Sequence, residues 1–139
     1  MTTRRVIVDH VLFVVSDLEA SRRFYTAALA PLGLEELHVQ ADGVGYGAEG
    51  LDDFTIDVGE PPTTAAHVAF DAPDRRSVDA FFHAAVTNGG REKGPPGVWT
   101  NYSDRYYAAF VYDPDGNNVE AVFHSQQPIT DAPQRPGVP

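Results

Sequence analysis

The sequence contains no cysteine. Disulfides, thiolate metal sites and cysteine nucleophiles are therefore excluded, and a reducing compartment suits the chain. Basic residues are scarce: 10 Lys and Arg stand against 20 Asp and Glu, giving a formal charge of −10 and a pI near 4.7. Such a surface repels phosphate backbones and anionic membranes, and no basic stripe interrupts it, so neither nucleic acid nor membrane is an expected partner. Long apolar runs are also missing. The short one after Arg4 and Arg5 is broken by Asp9 and His10, and no small-residue cleavage pattern follows it. A soluble, cytoplasmic protein is expected.

What is present organises itself by repetition. Shifting the sequence by 57 residues lays His10-Val11-Leu12-Phe13 on His67-Val68-Ala69-Phe70, Asp17 on Asp74, Phe24 on Phe81, Gly33 on Gly90 and Glu35 on Glu92 (67 − 10 = 74 − 17 = 90 − 33 = 57). No gap is needed. Each copy reads as strand, helix, then three short strands. In the first, a valine-rich strand over 6–15 leads through Ser16-Asp17 into a helix over 18–30, followed by strands near 34–40, 43–48 and 53–59. In the second, a strand over 65–71 precedes a helix from Pro73-Asp74 to Asn88-Gly89-Gly90. Strands near 91–93, 105–112 and 118–124 follow, with a loop from Gly94 to Asp104 and a hairpin turn at Asp113-Pro114-Asp115-Gly116.

The expectation is an α+β fold of two tandem βαβββ modules, about 6–60 and 64–124, forming a cup-shaped, mostly antiparallel sheet with helices outside. Residues 1–125 make one domain, and 126–139 a flexible proline-rich tail. Period-two alternation puts Val11, Phe13, Val68 and Phe70 on the helix-covered face, leaving His10 and His67 on the concave one.

The repeated module, with a histidine opening each first strand and Asp113 to Glu120 reading Asp-Pro-Asp-Gly-Asn-Asn-Val-Glu, resembles the vicinal oxygen chelate superfamily. Glyoxalase I, extradiol dioxygenases and bleomycin-resistance proteins belong to it. The similarity covers roughly residues 6–124. It implies first-strand metal ligands at His10 and His67 and a last-strand ligand at Glu120, around a divalent Fe2+, Mn2+, Ni2+ or Zn2+. The position in the first copy that matches Glu120 is Thr55, which departs from the two carboxylates of glyoxalase I. Extradiol dioxygenases place a tyrosine where Phe110 stands, and an acid/base histidine absent from residues 51–66.

Chelation of two substrate oxygens by such a metal points to a lyase, isomerase or oxygenase acting on a small oxygen-rich molecule. The alternative is a metal-free binding protein of the bleomycin-resistance kind, for which the acidic charge also suits a cationic ligand. Glu120 and Tyr107 are the candidate catalytic residues. Trp99, Asn101, Tyr102, Arg105, Tyr106 and Phe110 are the candidates for substrate binding. His38, His83 and His124 are set aside, and the resemblance implies a homodimer.

Overall fold

A computed structural model of the chain describes residues 4–139. The first module contains β1 (Val11–Val15), α1 (Leu18–Leu29), a 3-10 turn (Ala30–Leu32), β2 (Glu35–Val39), β3 (Gly43–Ala48) and β4 (Leu51–Val58). The second contains β5 (His67–Asp71), α2 (Arg75–Thr87), β6 (Arg91–Trp99), β7 (Tyr106–Tyr112) and β8 (Asn118–His124), and a short β9 (Gln134–Arg135) follows. Both helices begin on an aspartate. Asp17 Oδ1 accepts from the Ala20 N–H at 3.1 Å, and Asp74 Oδ1 from the Ser77 N–H at 2.8 Å. Each carboxylate satisfies an orphan donor of the first turn and lies at the positive end of the helix dipole. Gly33, at φ +88°, ends the first helical stretch in the left-handed conformation glycine tolerates.

The repeat appears directly in the strand registers. In each module the first strand pairs in parallel with the last, Leu12 opposite Thr55 and Ala69 opposite Glu120. Thr55 is thus the structural counterpart of Glu120. The strands form a four-stranded sheet, β1-β4-β3-β2, and a five-stranded one, β5-β8-β7-β6-β9. Among the described residues no ladder joins the two: β1 and β5 each have a single partner.

The helix-covered faces of both sheets share one core. Phe13, Phe24, Tyr25, Phe54 and Ile56 from the first module meet Val78, Phe81, Val111 and Val119 from the second. Each large side chain removed from water contributes roughly 1.5–3 kcal/mol. The opposite faces, which carry His10 and His67, are turned away from this core. Polar clasps lock the modules: the buried Tyr25 hydroxyl donates to Asp113 at 2.5 Å, and Asp115 accepts from the Ser16 backbone N–H at 3.2 Å.

Three segments differ from the sequence expectation. The strand expected over 6–15 forms only from Val11, because no strand among the described residues pairs with residues 4–10, and Val6, Ile7 and Val8 are 73%, 65% and 68% exposed. The loop expected from Gly94 is ordered strand as far as Trp99. Its ladder shifts register between Glu92 and Gly94 and again between Gly94 and Gly97, so Pro95 and Pro96 are never asked for an N–H. Finally, residues 126–139, expected as a flexible tail, lie along the edge of β6. Ile129 is buried, Asp131 pairs with Arg75 at 2.9 Å, and Gln134–Arg135 run parallel to Val98–Trp99. The tail accepts here: the Val98 and Thr100 N–H groups donate to the Pro133 and Arg135 carbonyls. Pro133 has no N–H to donate and loses nothing in accepting.

Candidate functional site

Residues opposite one another in a ladder point to the same side of the sheet. Ala69, Glu120 and Phe110 are aligned across β5, β8 and β7, and His67 follows by alternation. This gathers a compact polar group. Glu120, 1% exposed, accepts from the His67 imidazole Nε2 at 2.7 Å with one carboxylate oxygen and from the Tyr106 hydroxyl with the other. A buried carboxylate left without partners would be costly; here both oxygens are satisfied. Burial raises the Tyr106 pKa well above its ordinary value, and the hydrogen bond and negative charge of Glu120 push it the same way. Tyr106 therefore stays protonated and serves as a donor. The His67 side chain is 48% exposed, so the group reaches solvent through its imidazole.

Beside this group the face becomes apolar. Trp99, Ala108, Phe110 and Val122 form a cluster separate from the main core, with Tyr106 packed against it. The Trp99 indole N–H donates to the Ala108 carbonyl at 2.9 Å, fixing the ring edge-on to Phe110 at 5.2 Å. Tyr102 stacks on Tyr106 with ring centres 4.7 Å apart. A polar group next to an aromatic floor suits a small molecule with oxygens at one end.

A sequence profile described as the Glyoxalase/Bleomycin resistance protein/Dioxygenase superfamily matches residues 7–121. The chain belongs to that superfamily. An uncharacterised protein of Bacillus subtilis, YqjT, is 30% identical over 124 residues, covering 83% of this chain and 97% of its own. Among solved structures, a glyoxalase/bleomycin resistance protein from Albidiferax ferrireducens matches with a TM-score of 0.72 and 30% identity, over 84% of this chain and 97% of that one. A mutant glyoxalase I from Zea mays matches with a TM-score of 0.63 and 25% identity over 82% of this chain. The match spans 44% of the maize enzyme.

The structure distributes the residues expected at a superfamily site unevenly. His67 and Glu120 come together, as described, with Tyr106 joining them. His10 lies on the first module's own open face, its Nδ1 against Asp9 at 2.8 Å. It lines a hollow of about 530 Å³ with His38, Asp52 and Thr55, all from the first module. Among the described residues, no three His, Asp or Glu side chains are grouped so as to hold a metal ion. The donors at His67 and Glu120 fit a divalent metal in kind, nitrogen and carboxylate oxygen in one coordination sphere, and fall one short in number within the chain.

Tyr107, expected as catalytic, requires correction. It points to the helix-covered face, where its hydroxyl donates to Asp79 on α2 at 2.6 Å and its ring lies under the Arg75 guanidinium. Alternation along β7 explains this: neighbouring residues face opposite sides, and Tyr106 takes the place beside Glu120. The signal was available, because Phe110 and Tyr106 are four residues apart and share a face. Of the substrate-binding candidates, Trp99, Phe110, Tyr106 and Tyr102 line the floor or its rim. Asn101 is exposed in a turn, and Arg105 donates to the Gln126 carbonyl at 2.7 Å, which ties down the start of the tail. His124 lies edge-on to Tyr106 with ring centres 5.2 Å apart.

Proposed function

We propose that this face binds a small oxygen-rich molecule on a divalent metal held by His67 and Glu120, and that the chain is an enzyme of lyase, isomerase or oxygenase type. What carries the reading is the contact between His67 and Glu120, 2.7 Å apart on a partly buried face. An imidazole and a carboxylate side by side next to an aromatic floor are a donor pair suited to a divalent metal. The third ligand is His10 supplied by a second copy of the chain, since the first module's open face and the second module's open face turn away from each other within one chain. The metal, when bound, supplies Lewis-acid stabilisation of charge developing on a chelated oxygen. Tyr106, held protonated, orients Glu120 through its one O–H, and its oxygen is left to accept from a ligand hydroxyl. Trp99 and Phe110 exclude water from one side of the site.

Elemental analysis of full-length, untagged protein tests this. Wild-type protein is expected to carry stoichiometric Fe, Mn, Ni or Zn, and His67→Ala and Glu120→Ala are each expected to lose it. Wild-type protein that stays metal-free after incubation with all four ions sinks the metalloenzyme. One observation favours a second reading, a metal-free binding protein: both oxygens of Glu120 already have partners, so the buried carboxylate needs no cation. Ligand binding that survives complete chelation marks that outcome.

A further inference from the structure

Residues 136–139 run beside the apolar half of the Glu120 face, and Pro139 reaches it at Gly94. Gly94 is aligned with Phe110, and Phe110 with Glu120, so all three look to the same side. A Cβ placed on Gly94 would lie 2.8 Å from Trp99 Cζ2, 3.0 Å from Phe110 Cδ1 and 3.0 Å from Pro139 Cβ. Pro139 thus lies over Gly94, at the border of the floor that Trp99 and Phe110 form. That floor continues into the polar group, with the His67 and Phe110 ring centres 6.2 Å apart.

How the tail gets there decides what it can do. Up to Arg135 it is firmly held: Ile129 is buried, β9 follows the edge of β6, and the Arg135 Nε and Nη2 both donate to the Pro96 carbonyl at 3.0 and 2.8 Å. Beyond Arg135 the anchoring stops. No hydrogen bond holds residues 136–139 among the described residues, Val138 is 76% exposed, and nothing lies within 4 Å of a Cβ built on Gly137. A rigid strap therefore ends in a short segment that only dispersion and apolar contact keep in place. Such a segment is among the least costly parts of a fold to open.

We propose that residues 136–139 are a displaceable flap, and that the surface beneath it is the subsite for the apolar ring of a ligand whose oxygens face His67, Glu120 and Tyr106. The proposal rests on the reading of this face as a ligand site, but not on a metal. A ring entering beside Phe110 exchanges one apolar contact for another, so the flap leaves at little cost. The ligand class is then a neutral aromatic or alicyclic molecule bearing an oxygen at one end.

The sole tryptophan, Trp99, lies in the floor and reports on it. The experiment uses metal-free, chelator-treated full-length protein and a variant of the same length carrying Pro136→Gly, Val138→Ser and Pro139→Ser. The probe is 4-nitrophenol in mildly acidic buffer, where it is neutral, followed by quenching of Trp99 emission. The flap variant is expected to bind it about tenfold more tightly, with Trp99 also more accessible to acrylamide. Adding His67→Ala to that variant is expected to weaken binding again. Equal affinity in wild type and flap variant overturns the proposal, whether or not acrylamide access changes. Because no metal is present, a failed elemental analysis and a failed flap experiment are separate results.

Discussion

Four tyrosines have hydroxyls that folding holds protonated: Tyr25, Tyr46, Tyr106 and Tyr107. Burial is the largest cause in each. For Tyr107 the hydrogen bond to Asp79 and its negative charge add to it, Arg75 opposes them, and the result is a value pushed up to about 12. A group whose folded value is raised contributes stability that is complete below its unfolded value and is lost as pH climbs through the folded one. The window therefore runs from about pH 10 to about pH 12. Urea denaturation at about pH 9 and about pH 11 should show wild-type protein losing more stability between the two than Tyr107→Phe. At neutral pH the variant should be less stable by about 1.5–3 kcal/mol, the usual worth of a hydrogen bond to a charged acceptor. Identical losses in the two proteins would show that Tyr107 ionises as it does in the unfolded chain.

At the scale of elements, the close fit of strand to helix depends on glycines. Gly90 follows α2 where the chain turns into β6, and a Cβ there would lie 2.6 Å from both Phe24 Cε1 and Val111 Cγ1 and 2.7 Å from the Ala85 carbonyl oxygen. The backbone oxygen cannot move aside without breaking the end of the helix. Gly90→Ala is accordingly expected to destabilise by about 2–3 kcal/mol, the overpacking range, lowering the thermal midpoint by several degrees. A melting curve superimposable on wild type would contradict this. Gly90 is also instructive about what the sequence reveals. Its match to Gly33 marks the repeat, which shows two copies of one strand-helix-strand module, while the parallel pairing of first and last strands and the Thr55–Glu120 correspondence come from the strand registers. Elements whose partners lie outside the repeat are illegible in that way. β9 has no counterpart in the first module, and the prolines on either side of it, Pro133 and Pro136, disguise a two-residue strand. The extension of β6 through Pro95 and Pro96 depends on two register shifts that no local pattern announces. Tyr106 and Tyr107, by contrast, are distinguishable, because only Tyr106 shares the even spacing that sets Phe110 opposite Glu120.

For the whole molecule, assembly turns on two sheet edges. β1 and β5 are each paired on one side only, and between them runs a groove of about 630 Å³ lined by Val6, Ile7, Val8, Phe54 and Phe70 among others. Unpaired edges beside exposed apolar residues invite another chain. Because β1 and β5 are copies of one strand, a two-fold axis could bring the β1 edge of one chain to the β5 edge of another twice over, closing the assembly. The same operation would carry His10 toward a second copy's His67 and Glu120, which is the arrangement the proposed metal site needs. Light scattering should then show a dimer for the wild type, and Ile7→Lys, which places a charge amid Val6 and Val8, should shift it toward monomer with the fold intact. Metal content provides the link. If His10 acts across the interface, the Ile7→Lys monomer should bind metal more weakly than the dimer, although its own His67 and Glu120 are untouched. A monomeric wild type that holds stoichiometric metal would break the connection, because one chain alone offers two of the three ligands.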